Sequence, residues 1–391
     1  MNINMKNHSL GVARSVIREI FEYGNQRAAI VGRENVYDFS LGNPSVPSPS
    51  CIDETIAKLV KEDTIPVHSY TSAQGAPATR KAISDSINRR FDETTTPDDI
   101  YITCGAAASL TVTLNALCNC GDEVIAFAPF FPEYKVFAEG AGANFKIVPA
   151  APDFQINFDA LEETITENTK ALIINSPNNP SGAVLTEETI VRLSKLLTER
   201  SNQYGHPIYL ISDEPYRELV YDNTVKVPYI TKYYDNTFVC YSYSKSLSLP
   251  GERIGYILVC NRMENARDVY AAVCGAGRML GFVCAPSLMQ KVVEQNPEAV
   301  SDISVYKQNR DLLYNALTEY GYECINPDGA FYLFVKSPMP DAKEFCEKAK
   351  ALDLLLIPSD SFGCEGYIRI SYCVSTDMIK RSLPLFKRLM D

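Results

Sequence analysis

From about residue 100 to residue 260, short apolar runs of strand character alternate with helix-like segments, as in Asp122–Phe127 and Ile190–Leu197. This alternation constrains the chain more than any other feature, because strands joined by helices assemble as a mainly parallel sheet covered on both faces. Sheets of that kind hold ligands beyond the carboxyl ends of their strands. The residues that terminate each run are therefore the ones to read for chemistry. After residue 285 the pattern shifts to a long helical stretch through Tyr320, then Gly329–Val335, a helix near Ala342–Ala351 and a strand carrying Arg369, which reads as a smaller α+β unit. A length of 391 residues favours two domains, and 46% hydrophobic residues can build a sizeable core.

The run Thr237–Tyr241 ends in Ser242-Tyr-Ser-Lys245, with Arg253 eight residues beyond the lysine. A lysine leaving the end of a buried strand enters a partly desolvated pocket, which lowers its pKa and lets its amine form a Schiff base. Ser242, Ser244 and Arg253 are suited to a phosphate, through hydroxyl hydrogen bonds and a charged fork. Taken alone, the segment reads better as a solvated loop, the usual place for a lysine between serines. The other strand ends change that balance. Lys170–Asn175 breaks into Ser176-Pro-Asn-Asn179-Pro-Ser-Gly182, a turn rich in proline and amides, and Pro207–Ser212 ends in Asp213-Glu-Pro-Tyr216. Asp99–Thr103 ends in Cys104-Gly105-Ala106-Ala107-Ala108-Ser109, which opens a helix through Leu117 whose free backbone N–H groups suit a phosphate.

These segments, in this order, resemble the fold-type I pyridoxal-phosphate enzymes, and specifically the class I and II aminotransferases related to aspartate aminotransferase. The resemblance spans nearly the whole chain, including Leu41-Gly42-Asn43-Pro44, Tyr70-Thr-Ser-Ala-Gln-Gly75, Ala128-Pro-Phe-Phe131 and Ile368-Arg369-Ile-Ser-Tyr372. It implies a large domain over residues 46–284 that binds pyridoxal 5'-phosphate, and a small domain from residues 1–45 and 285–391. Lys245 then matches the lysine that holds the cofactor aldehyde as an internal aldimine and later moves a proton. Asp213 matches the carboxylate paired with the pyridine nitrogen. Tyr216 and Asn179 match the groups bonded to the ring's phenolic oxygen. For the phosphate, the resemblance implies the turn Gly105-Ala106-Ala107, the side chains Ser242, Ser244 and Arg253, and Tyr70 from a second subunit. Phe131 matches the aromatic stacked on the ring, where many relatives carry tryptophan or tyrosine; this chain has no tryptophan. The run Ala106–Ala108 also departs from relatives that place a polar side chain beside the phosphate turn.

Arg369 matches the arginine that receives the substrate α-carboxylate, with Gly42 and Asn179 completing the clamp. Read without the resemblance, an arginine between apolar residues suits an edge strand with its charge in solvent. The implied site lies in the crevice between the domains of a homodimer with shared active sites, and closure of the small domain brings Arg369 to the substrate. The implied reaction moves an amino group from an L-amino acid to a 2-oxo acid such as 2-oxoglutarate. Aspartate is the first donor to consider, with Arg278 as the candidate for its distal carboxylate and Arg14, Arg18 and Arg27 as rivals. Aromatic, alanine and other neutral donors stay open, since Phe130, Phe131 and Tyr372 suit an apolar side chain. The same cofactor also serves C–S β-lyases of this fold, and a ligand-sensing relative without catalysis is a third class. The absence of a winged-helix segment before residue 40 and the presence of Lys245 count against that last one.

The formal charge of -11 carries no long single-sign run, so no nucleic-acid partner is expected. No apolar run approaches membrane-spanning length and the N-terminus lacks a secretory core, so a cytoplasmic protein is expected. The twelve cysteines are scattered through apolar runs, and the three histidines are far apart in sequence. Reduced, mostly buried thiols are the better reading than disulfides, and no metal site is expected.

Overall fold

The computed structural model describes residues 2–13, 15–62 and 64–390, and these form two units. The larger comprises Val46–Ile303 with Asp328–Ala330; the smaller comprises Met1–Ser45, Ser304–Pro327 and Phe331–Asp391. Within the larger unit seven strands form one sheet. In chain order they are β1 (Ile100–Thr103), β2 (Glu123–Phe127), β3 (Asn144–Val148), β4 (Thr169–Asn175), β5 (Tyr209–Asp213), β6 (Thr237–Ser242) and β7 (Gly255–Val259). Their spatial order is β1-β7-β6-β5-β4-β2-β3. The five strands from β6 to β3 pair in parallel, whereas β7 runs antiparallel to both β1 and β6.

Strands β4, β5 and β6 are buried almost without interruption, as expected of strands covered on both faces. Alternate residues serve opposite faces. Leu172, Ile174 and Leu210 join Leu193 and Leu197 of the helix Glu187–Tyr204, while Val239, Tyr241 and Leu258 pack with Ile83 and Ile87 of the helix Pro77–Phe91. Each such side chain contributes about 1.5–3 kcal/mol through burial. Thr186 starts the Glu187–Tyr204 helix by accepting from the Thr189 N–H, and Gly205 ends it at φ 73°, a left-handed position that suits glycine.

The helical stretch expected from residue 285 through Tyr320 is two helices, Ser287–Gln295 and Ser304–Glu319. Pro297 explains the break, since the residue before a proline is pushed out of helical geometry, and Asn296 sits at φ -135°. The first of the two helices packs on the helices Ser50–Glu62 and Pro77–Phe91 and so belongs to the larger unit, which carries the boundary from 284/285 to 303/304.

In the smaller unit, the strands Ile357–Pro358, Tyr367–Ser371, Tyr332–Lys336 and Cys324–Ile325 form an antiparallel sheet in that order. The N-terminal helix Val16–Val31 is fastened to this unit by Arg27, whose Nε lies 2.6 Å from Asp353 Oδ1. Arg14 lies outside the described residues. No helix among the described residues is long and apolar enough to cross a membrane.

Candidate active site

Strand pairing brings the sequence-predicted residues of the larger unit to one rim of the sheet. Asn175 at the end of β4 pairs with Asp213 at the end of β5, and Asp213 pairs with Cys240 of β6, two residues before the turn into Lys245. Because β7 is antiparallel, its first residue rather than its last reaches this rim. Gly255 therefore pairs with both Thr103 and Ser242, which places Arg253 beside the turn after β1 and the turn after β6.

The result is a basic cradle. Arg253 Nη1 donates to Ser244 Oγ at 3.2 Å, and Ser242 Oγ accepts from the Ser244 N–H at 3.2 Å. A Cβ on Gly105 would lie 2.6 Å from Arg253 Nη2, and Gly105 has φ 90°, so both the backbone turn and the guanidinium exclude a side chain there. Gly105 caps the helix Ala106–Leu117, whose first N–H groups open toward the same place. Ser109, buried in the first turn of that helix, bonds Thr103 Oγ1 at 2.7 Å and fixes its start. Backbone donors, two hydroxyls and a guanidinium make a complete set for a phosphate dianion.

Farther along the rim the chemistry reverses to an acceptor. Asp213 is 4% exposed, and its Oδ1 is buried with no hydrogen-bond partner among the described residues. The other oxygen, Oδ2, accepts from Tyr134 Oη at 2.5 Å. Burial pushes this carboxyl from its ordinary 3.8 up to about 7; the Tyr134 hydrogen bond pulls it down and neighbouring Glu214 pushes it up. Glu214 is itself held in a fork by the buried Arg217, with Nη2 2.7 Å from Oε1, and it also accepts from Ser212. A buried carboxylate oxygen of this kind fits a protonated ring nitrogen, so the rim accommodates an anion at one end and an N–H cation at the other.

The raised carboxyl has a consequence for stability. Above 3.8 the unfolded chain releases this proton, while the folded chain keeps it to about 7, so stability falls as pH rises through that window. Without added cofactor, Asp213→Asn should therefore be more stable to unfolding than the unmodified chain at pH 8, by an amount on the order of 4 kcal/mol, with the gap closing near pH 4. A gap that does not grow with pH would show that Asp213 is ionised at no cost.

Lys245 is half-buried on the short helix Tyr243–Ser246, which follows β6 directly. Asn179 and Tyr216 are buried. The Asn179 turn is held from its own strand: the Asn179 N–H donates to Asn175 Oδ1 at 2.7 Å, while Asn175 Nδ2 donates to the Asp213 carbonyl at 2.8 Å. The peptide bonds before Pro177 and Pro180 are both cis. Phe131 is half-buried, and its ring meets the Tyr134 ring edge-on at 5.7 Å.

The smaller unit carries the sequence-predicted carboxylate receiver. Arg369 is 1% exposed on an interior strand, opposite Phe334 on one side and Ile357 on the other, so the edge-strand reading fails. Its guanidinium lies 4.6 Å from the Tyr332 ring centre and 5.1 Å from that of Phe362, and Nη2 donates to the Ser40 carbonyl at 2.5 Å. Gly42 runs against the same tyrosine: a Cβ there would lie 2.0 Å from Tyr332 Oη. A guanidinium enclosed by rings and a carbonyl is weakly hydrated and well placed to take a carboxylate as a fork.

Two predicted residues stay at the surface of a single chain. Tyr70 is 96% exposed, and Arg278 is exposed on the last turn of the helix Ala266–Leu280. Among the rivals for the distal carboxylate, Arg27 is taken by Asp353 and Arg18 is exposed. Two residues at the rim were missed in the sequence. Asn175 carried a signal, as an amide closing an apolar run; Tyr134 carried none, being one aromatic among several near a helix start.

Comparison with known proteins points the same way. Residues 34–383 match the model of the family described as aminotransferase class I and II. A solved aminotransferase from Eubacterium rectale is 57% identical and superposes with a TM-score of 0.97, over 100% of this chain and 98% of its own. A probable aspartate aminotransferase from Methanocaldococcus jannaschii is 30% identical over 96% of this chain and 97% of its own length. From the same organism, a (5-formylfuran-3-yl)methyl phosphate transaminase is 30% identical over 92% of each chain.

Proposed function

As this chain belongs to the class I and II aminotransferases and is a transaminase of aspartate aminotransferase-like type, we propose that it uses pyridoxal 5'-phosphate to move the amino group of an L-amino acid, aspartate first, to 2-oxoglutarate. The observation that carries the cofactor reading is Asp213 Oδ1, buried and without a hydrogen-bond partner among the described residues, on the same sheet rim as the Arg253 cradle. When bound, pyridoxal phosphate supplies an electrophilic aldehyde and an electron-accepting ring. Ser242, Ser244, Arg253 and the Ala106 and Ala107 N–H groups bind the phosphate, and Phe131 packs on the ring. Asp213 holds a proton at the ring nitrogen, while Tyr216 and Asn179 donate to the phenolic oxygen. The Lys245 amine takes a proton from the substrate Cα and returns one during the second half of the reaction. Arg369, with Gly42 and Asn179, would orient the α-carboxylate and so hold the Cα–H bond for proton transfer to Lys245. The functional unit is a homodimer in which the exposed Tyr70 serves the phosphate of the partner.

Support for an acidic donor comes from the relative named as a probable aspartate aminotransferase; Arg278 is the residue offered for its side-chain carboxylate. The test is to incubate the chain with pyridoxal phosphate, 2-oxoglutarate and ¹⁵N-aspartate. Labelled glutamate and oxaloacetate in equal amounts are expected. Transfer from other amino acids only would reject aspartate, and pyruvate with ammonia from a β-substituted donor would replace transfer with elimination. Arg369→Lys keeps the charge but not the fork, so the KM of every amino-acid donor should rise by about 100-fold, in the range of a lost charged hydrogen bond. A rise confined to acidic donors would instead make Arg369 a reader of the side chain.

A further inference from the structure

We propose that Tyr134 is a positioning residue that links the two halves of the cofactor ring's seat: its phenol fixes Asp213 so that Oδ1 alone faces the ring nitrogen, and its ring and backbone carry Phe131. This rests on the pyridoxal-phosphate reading given above.

Tyr134 is 1% exposed, in the first turn of the helix Glu133–Gly140. Three contacts define what it does. Its N–H donates to the Phe131 carbonyl at 3.0 Å, its ring meets the Phe131 ring at 5.7 Å with an interplanar angle of 84°, and its Oη lies 2.5 Å from Asp213 Oδ2. A phenol can donate or accept, but here the direction is settled. Burial and the adjacent carboxylate drive the phenol well above its ordinary pKa, so it keeps its proton and donates at every working pH. With Oδ2 so engaged, the carboxylate cannot rotate without losing a charge-assisted hydrogen bond.

The groups facing this carboxyl come from several elements. Tyr134 stands on the helix after β2, Glu214 follows Asp213 in chain, Tyr216 lies in the turn beyond, and Cys240 faces it from β6. Cys240 is buried and pushed high, so it stays a neutral thiol, and the Glu214 charge is forked by Arg217. Against burial and Glu214, Tyr134 is the neighbour that favours the ionised carboxyl. Loss of its hydroxyl removes that support and frees the carboxyl to turn, while Phe131 keeps its ring contact.

The full-length chain labelled with ¹³C-carboxyl aspartate gives a direct readout by NMR titration, with the Asp213 signal assigned as the one lost in Asp213→Asn. Without cofactor its midpoint should lie near pH 7. Tyr134→Phe should raise it by about one pH unit, and 3-fluorotyrosine at position 134, a stronger donor of nearly the same shape, should lower it. If Tyr134→Phe fails to fold, the fluorinated chain alone decides the sign. After loading with ring-¹⁵N pyridoxal phosphate, the ring nitrogen should lose its proton more readily in Tyr134→Phe than in the unmodified chain. An Asp213 midpoint indifferent to Tyr134→Phe, or raised by fluorination, overturns the proposal. A midpoint that follows Tyr134 in a chain that takes up no pyridoxal phosphate supports the Tyr134–Asp213 couple and overturns the cofactor reading.

Discussion

Lys245→Ala is expected to lower turnover by about four orders of magnitude or more while the chain still binds pyridoxal phosphate. The two effects separate because the residues offered for binding differ from the residue offered for proton transfer. Arg253, Ser242, Ser244 and the amino terminus of the Ala106–Leu117 helix make a cradle that the substitution leaves intact. Lys245 is half-buried, on a helix of four residues directly after β6, and the neighbouring serines cannot replace an amine as base. Exogenous small amines should restore part of the rate, since they supply the missing base without the tether. Substantial turnover in the variant without added amine would remove Lys245 from the mechanism.

The second large effect is expected for Asp213→Asn, a loss of about three orders of magnitude in turnover with little change in cofactor binding. An amide matches the carboxylate in shape and can still accept from Tyr134, but it cannot offset the charge of a protonated ring nitrogen. In a buried site that charge matters more than in water. The same substitution is predicted above to stabilise the chain without cofactor at pH 8, so one variant should gain stability and lose activity. Such opposition is expected where a buried charge is kept for function. Unchanged turnover in Asp213→Asn would show that the ring nitrogen needs no counter-charge here.

Much of the fold was legible because strands buried on both faces leave continuous apolar runs, and their ends stand out as polar turns. Asp213 and Ser242 were visible for that reason, and strand pairing sets the ends of their two strands side by side. The meeting of Arg253 with Gly105 was not legible from local pattern. It depends on β7 running antiparallel, and nothing in the residues Gly255–Val259 distinguishes that direction. The burial of Arg369 was hidden for a similar reason: a strand's neighbours decide whether it is an edge, and here strands pair with it on both sides. Tyr134 was missed because its role lies in a contact with a residue 79 positions away. The helix break at Asn296 is encoded by Pro297, which the expectation of one long helical stretch through Tyr320 did not include.

The most direct test of the central claim is the absorbance spectrum of the purified chain loaded with pyridoxal phosphate, followed by single amino acids without any 2-oxo acid. A visible band that converts to a near-ultraviolet band on adding aspartate, and returns on adding 2-oxoglutarate, is the predicted result. Failure of the chain to acquire any visible band with pyridoxal phosphate would contradict the cofactor assignment, and a band that persists while pyruvate accumulates would contradict amino-group transfer.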